Sequence, residues 1–136
     1  MSITHRSWAA CAVTLALLAA AAPAGARDGD DDDGRREARV EGTCAKGATS
    51  KLRLRSRDGR ISVEFEVKRS RRGERWRIVL VHERRIAWRG SVRTARSGGS
   101  FRVRRSLPDL DGSDRVKVRA YGPRGLTCEA SATLAA

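Results

Sequence analysis

From residue 38 onward, apolar and polar residues alternate in short runs, and this pattern constrains the fold more than any other feature. The clearest run is 60–68, where Ile61, Val63 and Phe65 alternate with polar residues. A period of two places successive side chains on opposite faces of a β-strand, whereas a helix requires a period near 3.6. No segment shows that helical period. The chain is therefore predicted to be all-β, a sandwich or small barrel of seven or eight short strands.

Clusters of Gly, Ser, Asp and Pro separate the predicted strands. The strands are 38–44, 50–57, 60–68, 75–82, 85–94, 100–107, 115–121 and 126–134. The Asp58-Gly59 pair predicts a tight hairpin, because both residues can take the positive φ that such a turn needs. Glu83 and Arg84 are unfavourable in a two-residue turn. The register of the strand that follows them is therefore left open.

The first 26 residues have the features of a secretory signal peptide. His5 and Arg6 precede an apolar run from Trp8 to Ala22, and Pro23 and the small residues 24–26 follow. This order predicts cleavage after residue 26. The apolar run is shorter than the ~20 residues of a membrane-spanning helix, so a retained anchor is the less favoured alternative. We expect a secreted protein without a membrane span after cleavage, either free in the medium or associated with the cell envelope.

Residues 27–37 are rich in Gly and charge and contain no apolar side chain. This composition, centred on Asp30–Asp33, predicts a disordered acidic leader before a folded domain at 38–136. Two hypotheses account for the aspartates. They solubilise the junction with the signal peptide, or they compete with an external ligand for a basic surface of the same chain.

Two cysteines, Cys44 and Cys128, lie beyond the predicted signal peptide. In an oxidising compartment, a pair of cysteines in a small domain forms a disulfide by default. A metal site would need further ligands, but His82 is the only histidine after residue 26. The sequence therefore predicts one disulfide that closes the domain, with no metal and no cofactor.

The predicted mature protein is strongly basic. The whole chain has a net charge of +13, and Arg6 is the only charged side chain in residues 1–26, which leaves +12. Such an excess keeps a protein soluble, and it also attracts polyanions. Both interpretations remain open from charge alone.

At 40–134 the order of predicted strands resembles an immunoglobulin-like or fibronectin type III-like β-sandwich domain. The resemblance implies that Trp76 is the inward tryptophan of the third strand. Strands A, B, C, C′, E, F and G would be 50–57, 60–68, 75–82, 85–94, 100–107, 115–121 and 126–134. The chain departs from the family in two ways. Its disulfide would join the N-terminal edge to strand G, and Tyr121 stands at the end of strand F instead of near its start.

The chain also resembles small secreted proteins of high-GC actinobacteria. The likeness rests on Val40-Glu41-Gly42-Thr43-Cys44, on the strand Val63-Glu64-Phe65-Glu66-Val67, and on a closing Cys-x-Ala-x-Ala-Thr-Leu tail. This resemblance implies export and a β-fold. It implies no activity.

If the sheets are A-B-E and C′-C-F-G, the cations are distributed unevenly between them. On the first sheet, Glu64 and Glu66 balance the cations Lys51, Arg53, Arg55, Arg102 and Arg104. On the second sheet, the outward cations would meet Glu129 alone. They are Arg75, Arg77, Arg89, Arg93, Arg115, Lys117 and Arg119. We expect this second face to bind an extracellular polyanion, such as an envelope polymer, an acidic lipid or a polysaccharide.

Other partners are considered beside the polyanion. Nucleic acid is disfavoured, because export removes most of that target and few aromatic residues are present for base stacking. The alternative function is a protein-interaction or structural module, in which Val79, Val81 and Trp88 form an apolar patch and the charge serves solubility. We expect a monomer.

Catalytic motifs are missing from the sequence. His82 alternates with core residues, which favours a satisfied or half-buried histidine, and no Ser or carboxylate stands in a nucleophile motif. Residues 109–114 include carboxylates and a glycine, but they lack the spacing and the closing Glu of a calcium loop. A polar turn with Leu110 tucked inward is the preferred interpretation. The protein is predicted to be non-enzymatic.

Overall fold

The computed structural model describes residues 35–136. The predicted signal peptide, and the leader up to residue 34, lie outside the described residues. The described part contains eight β-strands and one short 3-10 turn at Pro123–Gly125. The strands are β1 Arg36–Cys44, β2 Thr49–Arg57, β3 Arg60–Lys68, β4 Arg75–His82, β5 Arg85–Arg93, β6 Phe101–Pro108, β7 Asp114–Tyr121 and β8 Thr127–Leu134. The prediction of an all-β chain is confirmed.

All strand pairs are antiparallel, and the strand order is β5-β4-β7-β8-β1-β2-β3-β6. This order contains the two predicted groups of neighbours, β2-β3-β6 and β5-β4-β7-β8. Within 35–136, no helix is long and apolar enough to cross a membrane.

Strand β1 connects the two groups of strands. It pairs with β2 through residues 36–42 and with β8 through Thr43 and Cys44. Strand β1 therefore lies inside the sheet order and not at an edge. A Cβ at Gly42 would lie 2.5 Å from the carbonyl oxygen of Glu129 and 2.3 Å from Ser50 Oγ. Glycine is required at the point where β1 passes from one partner strand to the other.

Strand β1 begins two residues before the predicted boundary between leader and domain. Arg36 Nη2 donates hydrogen bonds to both carboxylate oxygens of Asp109, at 2.6 and 2.8 Å. Glu37 accepts from Arg53 Nε at 2.7 Å and from Arg55 Nε at 2.9 Å. Ion pairs hold this end of the strand. The alternation of apolar residues could not predict this start of β1, because residues 36 and 37 are both charged.

One hydrophobic core receives side chains from both groups of strands. Trp76 of β4 is fully buried, as predicted, and its ring lies 5.4 Å from that of Phe101 of β6. Phe101 in turn lies 6.4 Å from Phe65 of β3. By contrast, Leu110 is 45% exposed, so the prediction that it turns inward is wrong.

The predicted disulfide joins Cys44 of β1 to Cys128 of β8. The two residues are directly opposite each other in the antiparallel pair. Only two residues of β1 pair with β8. The covalent bond therefore lies at the short junction between the two groups of strands.

Candidate polyanion-binding face

All seven predicted cations lie on the outer face of β4, β5 and β7. Their positions follow from the period of two, because the inward positions of these strands carry core residues such as Ile78 and Val118. The cation positions are Arg75 and Arg77 on β4, Arg89 and Arg93 on β5, and Arg115, Lys117 and Arg119 on β7. Six of them are exposed and Lys117 is half-buried.

Glu129 of β8 neutralises part of this face. Its carboxylate lies 2.5 Å from Lys117 Nζ through one oxygen and 2.5 Å from Arg119 Nε through the other. Hydrogen bonds from Lys117 and Arg119 hold the pKa of Glu129 below its ordinary value, against the opposing effect of burial. The carboxylate therefore stays ionised at neutral pH. One carboxylate therefore serves Lys117 and Arg119, and the β7–β8 side of the face is only partly compensated.

The β4–β5 side is not compensated. Arg75, Arg77, Arg89 and Arg93, here called the four-arginine cluster, pair with no acidic side chain in the part of the chain that the structure describes. Arg75 stands directly opposite Arg93, and like charges in that position destabilise a sheet. Arg93 Nη1 donates to the carbonyl oxygen of Gly73 at 3.1 Å. No ion pair within residues 35–136 accounts for the four positive charges.

A shallow depression lies beside two arginines of the four-arginine cluster. It has a volume of about 520 Å³, and its lining includes Arg77, Arg89, Ser91 and Tyr121. Ser91 is opposite Arg77 in the register and follows Arg89 by two residues, so its small hydroxyl lies among guanidinium groups. The Arg77 guanidinium lies 5.7 Å from the centre of the Tyr121 ring. The depression offers two guanidinium groups and a hydroxyl to one anionic group.

The outer face of β1, β2, β3 and β6, here called the balanced face, differs in its charge pairing. Arg104 Nε lies 2.7 Å from Glu64, and Arg102 Nη2 lies 2.8 Å from Glu66. Glu37 and Glu41 of β1 add two carboxylates that the sequence-based charge map did not assign to this face. They pair with Arg39, Lys51, Arg53 and Arg55. Only the position of β1 beside β2 could have revealed them.

The predicted apolar patch of Val79, Val81 and Trp88 is not assembled. Trp88 pairs with Leu80 on the inner face, packs against the core and lies under Arg105, whose guanidinium carbon is 3.9 Å from the ring centre. Val79 and Val81 are on the outer face. An irregularity in the β4–β5 register places Ile86 opposite Val81, and Ile86 is 51% exposed. The bulge reverses the inward and outward positions between Ile86 and Trp88.

His82 and Asp114 form a buried polar pair at the end of the β6–β7 turn, beside the half-buried Asp109. A 2.6 Å hydrogen bond joins His82 Nε2 to Asp114 Oδ1, and Asp114 also accepts from the Leu110 backbone amide at 3.3 Å. Hydrogen bonds from Ser56 and Arg36 hold the pKa of Asp109 below its ordinary value. Within residues 35–136, no three His, Cys, Asp or Glu side chains are grouped to hold a metal ion.

The inventory of the candidate site therefore consists of cations, a serine and an aromatic ring on a rigid sheet. A guanidinium forms paired hydrogen bonds with phosphate or carboxylate, so such a surface can recognise an anion. Comparison with known proteins gives no further guide, because no protein-family model, curated protein or solved structure matches the chain.

Proposed function

We propose that this chain is an exported, non-enzymatic binding module that engages an extracellular polyanion through the four-arginine cluster. The polyanion is an envelope polymer, an acidic lipid surface or an acidic polysaccharide. The observation that carries the proposal is the lack of acidic partners for Arg75, Arg77, Arg89 and Arg93 among the described residues, although Arg75 and Arg93 stand opposite each other. An unfavourable arrangement of like charges is explained if an external anion neutralises it.

The spacing of the cations supports a ligand with repeated charges. Alternate residues of a strand are roughly 6.7 Å apart, and neighbouring strands are roughly 4.8 Å apart. Arg75, Arg77, Arg89 and Arg93 occupy alternating positions on two paired strands, so they form a two-dimensional array. A chain or surface that carries several anionic groups can contact the whole array, whereas a single anion meets only part of it.

The proposal includes a scaffold of the immunoglobulin-like or fibronectin type III-like sandwich type, as in the secreted actinobacterial proteins that the sequence resembles. Support comes from the neighbour groups β2-β3-β6 and β5-β4-β7-β8, and from the contact of Trp76 with Phe101 across the shared core. The Cys44–Cys128 disulfide is compatible with export. The scaffold would hold the arginines rigidly, so little conformational entropy of the backbone is lost on binding.

Neutralising the four-arginine cluster should greatly reduce retention on a heparin column. In the variant, Arg75, Arg77, Arg89 and Arg93 are replaced by Gln. Each contact between an arginine and an anionic polymer releases about one counterion, so each lost contact lowers the number of counterions released on binding. The plot of the logarithm of affinity against the logarithm of salt concentration should therefore become less steep, with a slope smaller in magnitude by about three. Elution at stepped salt concentrations measures this slope.

A matched control makes the same charge change on the balanced face, with Gln at Lys51, Arg53, Arg102 and Arg104. These four cations already pair with glutamates, so the control should lower the salt slope by less than about one. Equal losses in both variants would show that binding depends on diffuse net charge and would refute the assignment to the cluster.

Replacing Glu129 by Gln should strengthen polyanion binding. The substitution removes the carboxylate that pairs with Lys117 and Arg119, and so it extends the uncompensated surface from β4 to β7. The salt slope on heparin should become steeper by about one to two. Glu64→Gln removes the same charge from the balanced face and should have little effect. Similar gains in both variants would contradict a localised site.

A second candidate function is supported by the exposure of Ile86. Its side chain is 51% exposed and stands opposite Val81. Val79, two residues before Val81 on β4, lies on the same outer face. These three residues form a small apolar patch that another protein could cover, with the surrounding arginines serving solubility. Salt separates the two functions, because contact through an apolar patch hardly responds to ionic strength.

A further inference from the structure

Three loops at one end of the strands bring a second group of cations together. The loops are 45–48 after β1, 69–74 after β3 and 122–126 after β7. They surround a depression of about 220 Å³ whose lining includes Lys46, Arg69, Arg71 and Arg124, here called the loop cluster. None of these residues belongs to the outer face of β4, β5 and β7.

The backbone of the loop cluster is strained at three cations. Lys46, Arg69 and Arg124 have φ values of 57°, 61° and 55°, in the left-handed region that glycine adopts without steric cost. At the opposite end, the positive-φ residues other than glycine in the described chain are Asp58, Glu83 and Arg84, which are mixed in charge. Strain retained at several residues of like charge around one depression points to a functional site.

The contacts around the loop cluster fix some cations and leave others available. Lys46 Nζ donates to the carbonyl oxygen of Arg124 at 2.5 Å, and the Arg124 guanidinium pairs with Glu74. Within residues 35–136, Arg69 makes no ion pair with an acidic side chain, and Arg71 interacts with Glu74 through its charge but without a hydrogen bond. The first two contacts tie the loops to each other. The guanidinium groups of Arg69 and Arg71 remain available to a ligand.

The loop that carries Arg69 and Arg71 is held firmly from below. Thr94 is buried, its hydroxyl donates to the carbonyl oxygen of Arg71 at 2.5 Å, and it accepts from the Glu74 amide at 2.8 Å. The Ser70 amide donates to the carbonyl oxygen of Gly99 at 3.0 Å. These contacts pre-organise the loop, so binding an anion there requires little additional ordering.

We propose that the loop cluster is a second anion site, which binds a single phosphate monoester group. Tetrahedral phosphate oxygens can accept hydrogen bonds from cations on different loops at the same time, and the arginine fork matches their geometry. The small depression accommodates one such group, in contrast to the open array of the four-arginine cluster. The site is independent of the polyanion proposal.

Titration with inorganic phosphate tests the site by NMR spectroscopy of the ¹⁵N-labelled, disulfide-bonded protein. Chloride at the same ionic strength serves as the reference. Saturable shifts are expected at the amides of Arg69, Arg71 and Gly125. Arg69→Gly should raise the dissociation constant for phosphate roughly tenfold or more, because a charge-assisted hydrogen bond is lost. Glycine adopts the same φ without strain, so the melting temperature should change by less than about 4 °C.

Arg84→Gly is the matched control. Arg84 is also exposed, has a φ of 65° and lies in the β4–β5 turn at the opposite end. This variant removes the same charge and should leave the dissociation constant for phosphate unchanged. The proposal is overturned if Arg69→Gly binds phosphate within twofold of the unmodified protein, or if Arg84→Gly weakens binding equally.

Two further arms separate this proposal from the polyanion function and define the ligand. The variant with Gln at Arg75, Arg77, Arg89 and Arg93 should keep its phosphate affinity, whatever its behaviour on heparin. A loss of phosphate binding in that variant would overturn the assignment to the loops. Glycerol 3-phosphate should bind at least as tightly as inorganic phosphate. Binding more than tenfold weaker would overturn the assignment to a monoester.

Discussion

Replacing Cys44 and Cys128 by alanine should lower the free energy of unfolding by about 4 to 5 kcal/mol. The two cysteines are separated by 84 residues, so their bond restricts a long loop of the unfolded chain. The loss is a large share of the roughly 5 to 15 kcal/mol that stabilises a typical domain. Urea unfolding of the variant and of the oxidised protein, followed by tryptophan fluorescence, measures the difference.

Chemical reduction provides the control for the cysteine variant. The reduced protein should unfold at a urea concentration close to that of the alanine variant, because both lack the same restriction on the unfolded state. The disulfide joins β1 to β8 at the junction where only Thr43 and Cys44 of β1 pair with β8. Few other backbone contacts can replace it there. A difference below about 1 kcal/mol between oxidised and reduced protein would show that the denatured chain is already restricted without the bond.

The sequence predicted the strands well where apolar residues alternate over a whole strand. Strand β3 has its predicted bounds, and Asp58 and Gly59 form the expected turn with φ values of 53° and 71°. Local information suffices there, because the period of two and the turn residues agree. Strand β1 shows the opposite case. Its start at Arg36 depends on ion pairs with residues distant in the sequence, which no local pattern contains.

The β4–β5 hairpin shows how tertiary contacts override local preferences. Glu83 and Arg84 adopt φ values of 45° and 65° and form the two-residue turn that their residue types disfavour. Pairing along nearly the whole of β4 and β5 outweighs the local cost. The bulge opposite Leu80 and Val81 follows no sequence signal. It determines that Trp88 packs inward and that Ile86 is exposed.

The candidate site was predictable in position but not in its charge pairing. The period of two alone places Arg75 and Arg77 on the outer face, because Trp76 and Ile78 are core residues. The alternation along one strand does not show that Glu129 pairs with cations of β7 only, because this pairing depends on which strands are neighbours. The loop cluster was not predicted at all. Its cations lie in three loops separated in the sequence, and only the strand order brings those loops together.

Asp114→Ala should destabilise the protein by about 2 to 4 kcal/mol, because a buried polar group that loses its hydrogen-bond partner costs about 1 to 3 kcal/mol and more than one group is affected. The carboxylate is fully buried and accepts hydrogen bonds from His82 and from the Leu110 amide. Alanine leaves both donors without this acceptor and opens a cavity beside them. Asp111→Ala, in the same turn but exposed, should change the stability by less than about 0.5 kcal/mol. If urea unfolding shows that Asp114→Ala costs as little as Asp111→Ala, the buried pair contributes little to stability.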